Sequence, residues 1–169
     1  PDWVVHCAAY TAVDRAEEET DLAIRVNRDG TGNVARAAAQ VGARLAYIST
    51  DYVFNGQKGT PYLPTDRVDP LSVYGRTKRA GEEAVLDATN LGESAGPLDV
   101  GAPLIVRTGW LYGGAGRNFV TSILARAEKG EDLKVVDDQR GRPTWARNVA
   151  EVTLELMSLG VSGVWHVAD

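Results

Sequence analysis

Across its 169 residues this chain has one cysteine, one methionine, two phenylalanines and two histidines. A lone Cys7 excludes an internal disulfide and any cysteine-based metal set, and it sits in an apolar run, as a buried thiol of a reducing compartment would. His6 and His166 lie in apolar runs at opposite ends of the chain, without ligand-type spacing, so both are expected in the core. No apolar run approaches the ~18 residues of a membrane span. Cationic clusters are also missing: 18 Lys and Arg stand against 23 Asp and Glu, for a net charge of −5. Nucleic acid and anionic membranes are poor partners for such a surface. A soluble, cytoplasmic protein is the expectation. One further absence bears on function, since no G-x-x-G-x-x-G phosphate loop follows a strand-like run. Gly30 and Gly32 fall within a helical stretch instead.

What remains is 44% hydrophobic and 24% charged, enough for one ordered domain with a core. The chain opens almost directly in a strand-like run, without Met or signal peptide, and stops just after another. It reads as a fragment of a longer chain. Apolar runs of strand length alternate with segments of helical period. Strands are expected at Trp3–Ala9, Arg44–Thr50 and Leu104–Tyr112, in the short "LKVVDD" and in "GVWHVA". Helices are expected over Asp21–Val41, closed by Gly42; over Leu71 to about Asn90, with Ser72 as N-cap; over Asn118–Lys129; and over Trp145–Leu159. Asn55–Pro70 and Leu91–Pro103 read as loops. Alternation with nearly all-apolar strands predicts a parallel sheet covered on both faces. In such sheets ligands bind beyond the carboxyl ends of the strands. The segments to inspect are therefore Ala8–Thr11, Thr50–Phe54 and Gly109–Tyr112.

Within "LSVYGRTK", Tyr74 and Lys78 are four residues apart, on one helix face. By chance a Tyr-x-x-x-Lys arises in roughly one such sequence in seven, so the spacing alone carries little. Gly75 adds weight, because an interior helical glycine costs about 1 kcal/mol relative to alanine unless something approaches the backbone there. "STDYVF" closes a strand with hydroxyls. Asp14 and Glu17–Glu19 read as a solvated acidic helix start. Trp3, Trp145 and Trp165 have core explanations, whereas Trp110 could line a pocket.

Taken in order, "HCAAYTAVDRAEEE", "VNRDGTGNVARAA", "YISTDYVFNG", "PLSVYGRTKRAGEEAV", "VRTGWLYG", "NFV" and "VVDDQRGRPTWA" resemble the dTDP-4-dehydrorhamnose reductase family of the extended short-chain dehydrogenase/reductase superfamily. The likeness covers nearly the whole chain apart from the Asn90–Pro103 loop. It implies a Rossmann-type doubly wound parallel sheet that is incomplete, with the N-terminal glycine-loop βαβ unit and the end of the substrate region missing. Residues 1–112 would be a partial NAD(P)-binding region with the catalytic helix, and 113–169 a mixed region holding the start of the substrate-binding part. The implied reaction is reduction by NADPH (or NADH) of the 4-keto group of dTDP-4-dehydro-β-L-rhamnose to dTDP-L-rhamnose. By position, Tyr74 is the catalytic acid and Lys78 its partner, which also holds the cofactor ribose. Thr50 orients the carbonyl and tunes Tyr74. Thr50, Asp51 and Trp110 match the substrate contacts, and Ala9, Tyr10 and Thr11 the cofactor-binding turn. The resemblance also implies a dTDP-sugar partner and a homodimer. In some bacterial members a Mg²⁺ ion sits at the dimer interface, with no ligand assignable here.

The chemistry accounts for these residue types. Hydride arriving at a carbonyl carbon leaves negative charge on oxygen, and a nearby donor must supply a proton as that charge develops. A cation one turn from a tyrosine favours its phenolate and lowers a pKa that is otherwise about 10. The family usually has Asn at His6, Ala at Cys7 and Ser at Gly109, so fine cofactor and substrate preference is open here. Two other readings share the pattern. Sugar 4,6-dehydratases carry Glu where this chain has Tyr52, and epimerases match less well at "TDYVF". The other is a non-catalytic regulatory subunit resembling the β subunit of methionine adenosyltransferase. Without a phosphate loop, residues 1–169 alone should bind NADPH poorly and turn over little.

Overall fold

The computed structural model describes residues 1–89, 101–114, 116 and 118–169. Four parallel strands form its sheet: β1 (Trp3–His6), β2 (Arg44–Thr50), β3 (Leu104–Thr108) and β6 (Gly163–His166), in the order β1-β2-β3-β6. Val4 lies opposite Leu45, Tyr47 opposite Ile105, and Val106 opposite Trp165. Every residue of β3 is buried, as expected of a strand covered on both faces.

Side chains alternate across the sheet and divide the core in two. On one face Leu45, Tyr47 and Ile105 pack with Ala35 of α3 (Thr31–Gln40) and with Val85 and Leu86 of α4 (Val73–Ala88). On the other, Ala46, Leu104 and Val106 pack with Val149 and Leu156 of α6 (Ala146–Ser158). The doubly wound arrangement read from the sequence is therefore present. Arg44 closes the bottom edge of the sheet. Its guanidinium stacks on Trp3 at 4.1 Å and donates to the carbonyls of Gly160 and Val161 at 3.0 and 2.9 Å.

Several boundaries differ from the sequence expectation, each for a local reason. The first strand ends at His6 because the backbone beyond it leaves the ladder, and Tyr10 is held by a side chain instead. Cys7 is exposed rather than buried. The helix expected over Asp21–Val41 is one helical path in three parts: α2 (Thr20–Ile24), a π-helical turn (Arg25–Gly30) and α3. A short α1 (Val13–Glu18) precedes it. Gly42 closes the path at φ +69°, a conformation that favours glycine.

The expected strand Leu104–Tyr112 breaks at Gly109–Trp110, where Trp110 has φ +52°. Leu111–Tyr112 becomes β4, paired in parallel with β5 (Thr144–Trp145) in a separate ladder. "LKVVDD" forms no strand, because none of the described elements lies alongside to take its backbone N–H and C=O groups. α5 (Phe119–Glu128) starts at an Asn118–Thr121 capping box, and Gly130 follows it. Trp145 is largely exposed, under the Arg147 guanidinium at 5.5 Å, instead of in the core. Residues 91–100 of the expected Leu91–Pro103 loop, and Asn90 at the end of the expected helix, lie outside the described residues, while Ala102 and Pro103 are buried.

Candidate active site

The carboxyl ends of β1, β2 and β3 and the first two turns of α4 meet on one side of the sheet. α4 begins where Pro70 ends the loop. Ser72 is its N-cap, its hydroxyl accepting from Gly75 N–H at 3.0 Å. Glu17 accepts from Val73 N–H at 2.8 Å, a second acceptor on the positive end of the helix. The acidic run is thus partly structural. Glu19 similarly accepts from the Tyr10 hydroxyl at 2.5 Å and pairs with Arg15.

Gly75 is buried where α4 meets the single 3₁₀ turn that follows β2, Asp51–Val53. A Cβ there would fall against the Tyr52 carbonyl and within 3.1 Å of Pro70 Cβ. The approach to the backbone that its presence suggested is made by this turn. It brings Tyr52 edge-on to the Tyr74 ring, with centroids 5.4 Å apart. Tyr74 lies near Thr50 at the end of β2. Burial raises the Tyr74 pKa above its ordinary value, the Thr50 hydroxyl pulls it down, and the charge of Asp51 raises it.

One turn on, Lys78 is almost completely buried. Its Nζ donates to the Ile48 carbonyl at 2.8 Å and sits 4.1 Å from the centre of the Tyr47 ring. Burial lowers its pKa to about 8, against the opposing pull of Glu82 and Cys7. A lysine this desolvated is poised near neutral pH, as functional lysines often are. His6, stacked on Tyr47 with centroids 5.7 Å apart and bonded to Thr31 Oγ1 at 3.1 Å, is a core histidine as expected. His166 is half-buried, its Nδ1 3.0 Å from the Tyr62 carbonyl.

Two features escaped the reading of motifs. Asn27, fully buried on the π-helical turn, accepts from Tyr10 N–H at 2.7 Å and donates to the Tyr10 carbonyl at 3.1 Å and to Thr77 Oγ1 at 3.0 Å. One side chain thereby ties the Ala9–Thr11 turn to α4 between Tyr74 and Lys78. The extra residue of a π turn re-aims side chains, and such turns gather at functional sites. The second is Glu82, one turn beyond Lys78. It takes a bidentate pair from Arg107 at 2.8 and 2.7 Å, together with the Ser49 hydroxyl at 2.6 Å and Arg79 at 3.2 Å. These groups hold its pKa down against burial, which pushes it up. This buried bracket ties α4 to β2 and β3. Sequence separations of 17, 50 and 25 residues hid both networks; the only local signal was a buried-type Asn beside Gly30–Thr31.

Thr50, Asp51, Tyr74 and Lys78 are thus brought together, and the Tyr10 turn adjoins them through Asn27 and the Tyr10–Tyr74 apolar cluster. Trp110 stands apart, on the far side of Gly109. Its ring lies edge-on to Phe119 at 5.9 Å and flat on Gly141, where a Cβ would come within 2.8 Å of the indole. Cys7, Ala8 and Thr11 are exposed at the open end of β1, beside buried Lys78. Among the described residues no cluster of three or more His, Cys, Asp or Glu is arranged to hold a metal. None of their helices is long and apolar enough to cross a membrane.

Known proteins share this fold. The family model for the RmlD substrate binding domain matches residues 1–169. The dTDP-4-dehydrorhamnose reductase of Streptomyces griseus is 47% identical over 178 residues, covering 100% of this chain and 54% of its own length. A spore coat polysaccharide biosynthesis protein of Bacillus subtilis is 40% identical, over 100% of this chain and 56% of its own. The crystal structure of the Bacillus anthracis dTDP-4-dehydrorhamnose reductase in complex with NADP superposes with a TM-score of 0.90 at 40% identity, covering 100% of this chain and 56% of that one. The Clostridium acetobutylicum reductase gives 0.89 at 41%, over 99% and 56%. The chain spans about half the length of the relatives it matches. It belongs to the RmlD substrate binding domain family.

Proposed function

We propose that this chain carries the proton-donating half of an NADPH- or NADH-dependent reductase that converts the 4-keto group of dTDP-4-dehydro-β-L-rhamnose into the alcohol of dTDP-L-rhamnose. The observation that carries the reading is Lys78, buried and anchored on Ile48 O, one helical turn from Tyr74, which lies near Thr50. The names of the Streptomyces griseus and Bacillus anthracis relatives support the substrate, and the NADP in the latter supports the cofactor.

A nicotinamide cofactor bound against the Tyr10 turn supplies the hydride. Tyr74 donates its phenolic proton to the carbonyl oxygen as negative charge gathers there. Lys78 stabilises the phenolate that Tyr74 becomes, and its amine is the natural holder of the cofactor ribose. Thr50 tunes Tyr74 and helps orient the carbonyl. Asp51 and Trp110 flank the sugar from β2 and from the turn after β3. Ala9, Tyr10 and Thr11 form the cofactor turn, held in place by Asn27. The division of labour falls at residue 112. Residues 1–112 hold the cofactor and the catalytic helix. Residues 113–169 are mixed, beginning the substrate-binding part and returning to the sheet with α6 and β6. A homodimer completes the reading.

Full-length protein incubated with dTDP-4-dehydrorhamnose and NADPH is expected to consume NADPH, followed by its absorbance. No consumption of NADPH or NADH, together with stable association with a synthetase, would favour the regulatory-subunit reading instead.

A further inference from the structure

The acidic run after the Tyr10 turn does more than solvate a helix start. Within α1, Ala16 is fully buried in an apolar cluster with Ala23 and Val73, against which the Tyr10 and Tyr74 side chains pack. The next residue, Glu17, reaches across 56 positions of sequence to accept from Val73 N–H, the first amide of α4, at 2.8 Å. Ser72 does not serve that amide, since its hydroxyl accepts from Gly75 N–H. Tyr74 is the next residue of the same turn. Glu19, which closes α1, accepts the Tyr10 hydroxyl proton at 2.5 Å and is steadied by Arg15. Glu18, between them, is exposed. Negative charge near a helix N-terminus is favourable in general, but that effect does not separate Glu17 from Glu18. The hydrogen bond to Val73 does. One short helix thus grips the start of α4 with one carboxylate and the Tyr10 turn with another.

We propose that α1 is a positioning bracket for the reaction: Glu17 sets the first turn of α4, and with it the Tyr74 hydroxyl, while Glu19 sets the Tyr10 turn that receives the cofactor. The inference rests on reading Tyr74 as the acid and the Tyr10 turn as the cofactor contact. Each glutamate acts through a hydrogen bond to another residue, not on the substrate. Placement of this kind matters, because a shift of about 1 Å at a reacting group can cost about 10²-fold in rate. The two tasks are separate, so the losses on substitution should be separate too.

The bracket can be tested apart from the reaction. In the full-length protein the Val73 amide proton should exchange with solvent about five- to tenfold faster in Glu17→Ala than in the wild type, as expected when a helix-end partner is lost. Glu17→Gln, whose amide oxygen still accepts, should return the rate to within about twofold. Glu18→Ala should leave it within about twofold of the wild type. An unmoved Val73 amide in Glu17→Ala would overturn the proposal. So would an equal rise in Glu18→Ala, since net charge and not a hydrogen bond would then be the cause.

Kinetics then reads the two tasks separately. With keto-sugar and NADPH saturating, Glu17→Ala should lower turnover about five- to tenfold and change the NADPH Kd less than about twofold, and Glu17→Gln should recover most of the loss. Glu19→Ala should do the reverse, raising the NADPH Kd about five- to tenfold while turnover at saturation changes less than about twofold. Equal losses of turnover and binding in both variants would mean a general loosening of the site and would overturn the proposal. If wild-type protein fails to consume NADPH with any keto-sugar, the reading of the reaction fails, while Val73 exchange and the NADPH Kd of Glu19→Ala still decide the bracket.

Discussion

The two regions of this chain bury their apolar residues to very different degrees. Within β2, α4 and β3 the apolar side chains are buried or half-buried, and the buried charges of Glu82 and Arg107 are paired with one another. From α5 to Gly141 the chain is open. No residue of α5 is buried, and Phe119, Leu124, Val135 and Val136 are each more than half exposed. The groups that position Tyr74 and Lys78 lie mostly within the first region, joined by the Tyr10 turn, Glu17 and Asn27. The second has the amphipathic sequence of a packed region, without a packed surface among the described residues.

Substitution of Glu82 should break the contrast most strongly. Glu82→Ala leaves Arg107 buried without its carboxylate, and breaking a buried pair this way costs about 3–5 kcal/mol. Denaturant unfolding should show that loss; a change below about 1 kcal/mol would mean that the bracket contributes little. Next comes the pH response of Lys78, whose pKa is lowered by burial to about 8. As pH rises through about 8 the cation is lost, Tyr74 becomes a weaker acid, and kcat/KM for reduction should fall. Stability should move the other way. Between about 8 and its ordinary value the lysine binds more protons unfolded than folded, so its contribution to stability rises with pH over that window. Activity and Lys78-linked stability that rise together would contradict this assignment. The smallest effect is expected in the open region. Leu124→Lys in residues 1–169 should change stability by less than about 0.5 kcal/mol, as exposed substitutions do. A loss above about 2 kcal/mol would show that α5 is packed after all.

The same contrast separates what the sequence made legible from what it hid. α4 was readable because its signals are local: Pro70, the Ser72 cap, and Tyr74 and Lys78 one turn apart. β2 was readable to the residue, since a buried strand between Gly42 and the Asp51 turn has few alternatives. "LKVVDD" has the composition of a strand, but a strand exists only through its neighbour, and none is at hand. "LIVRTGWLY" looked continuous because the positive φ of Trp110 leaves no mark in a run of apolar letters. At the site itself, Thr50, Asp51, Tyr74 and Lys78 could be found by pattern. Asn27 and Glu82 could not, because their partners lie far away in sequence. Cys7 and Trp145 misled for the converse reason: residue type favours burial, and local topology leaves both exposed.

The central claim is that Tyr74 gives the proton while Lys78 and the Tyr10 turn hold the cofactor. Tyr74→Phe in the full-length protein tests it most directly, with turnover of dTDP-4-dehydrorhamnose and NADPH binding measured on the same preparation. Turnover should fall by about 10²–10⁴, the usual weight of general acid catalysis, with the NADPH Kd changed less than about threefold. Equal losses in turnover and binding would contradict the assignment and make Tyr74 a cofactor contact rather than the acid.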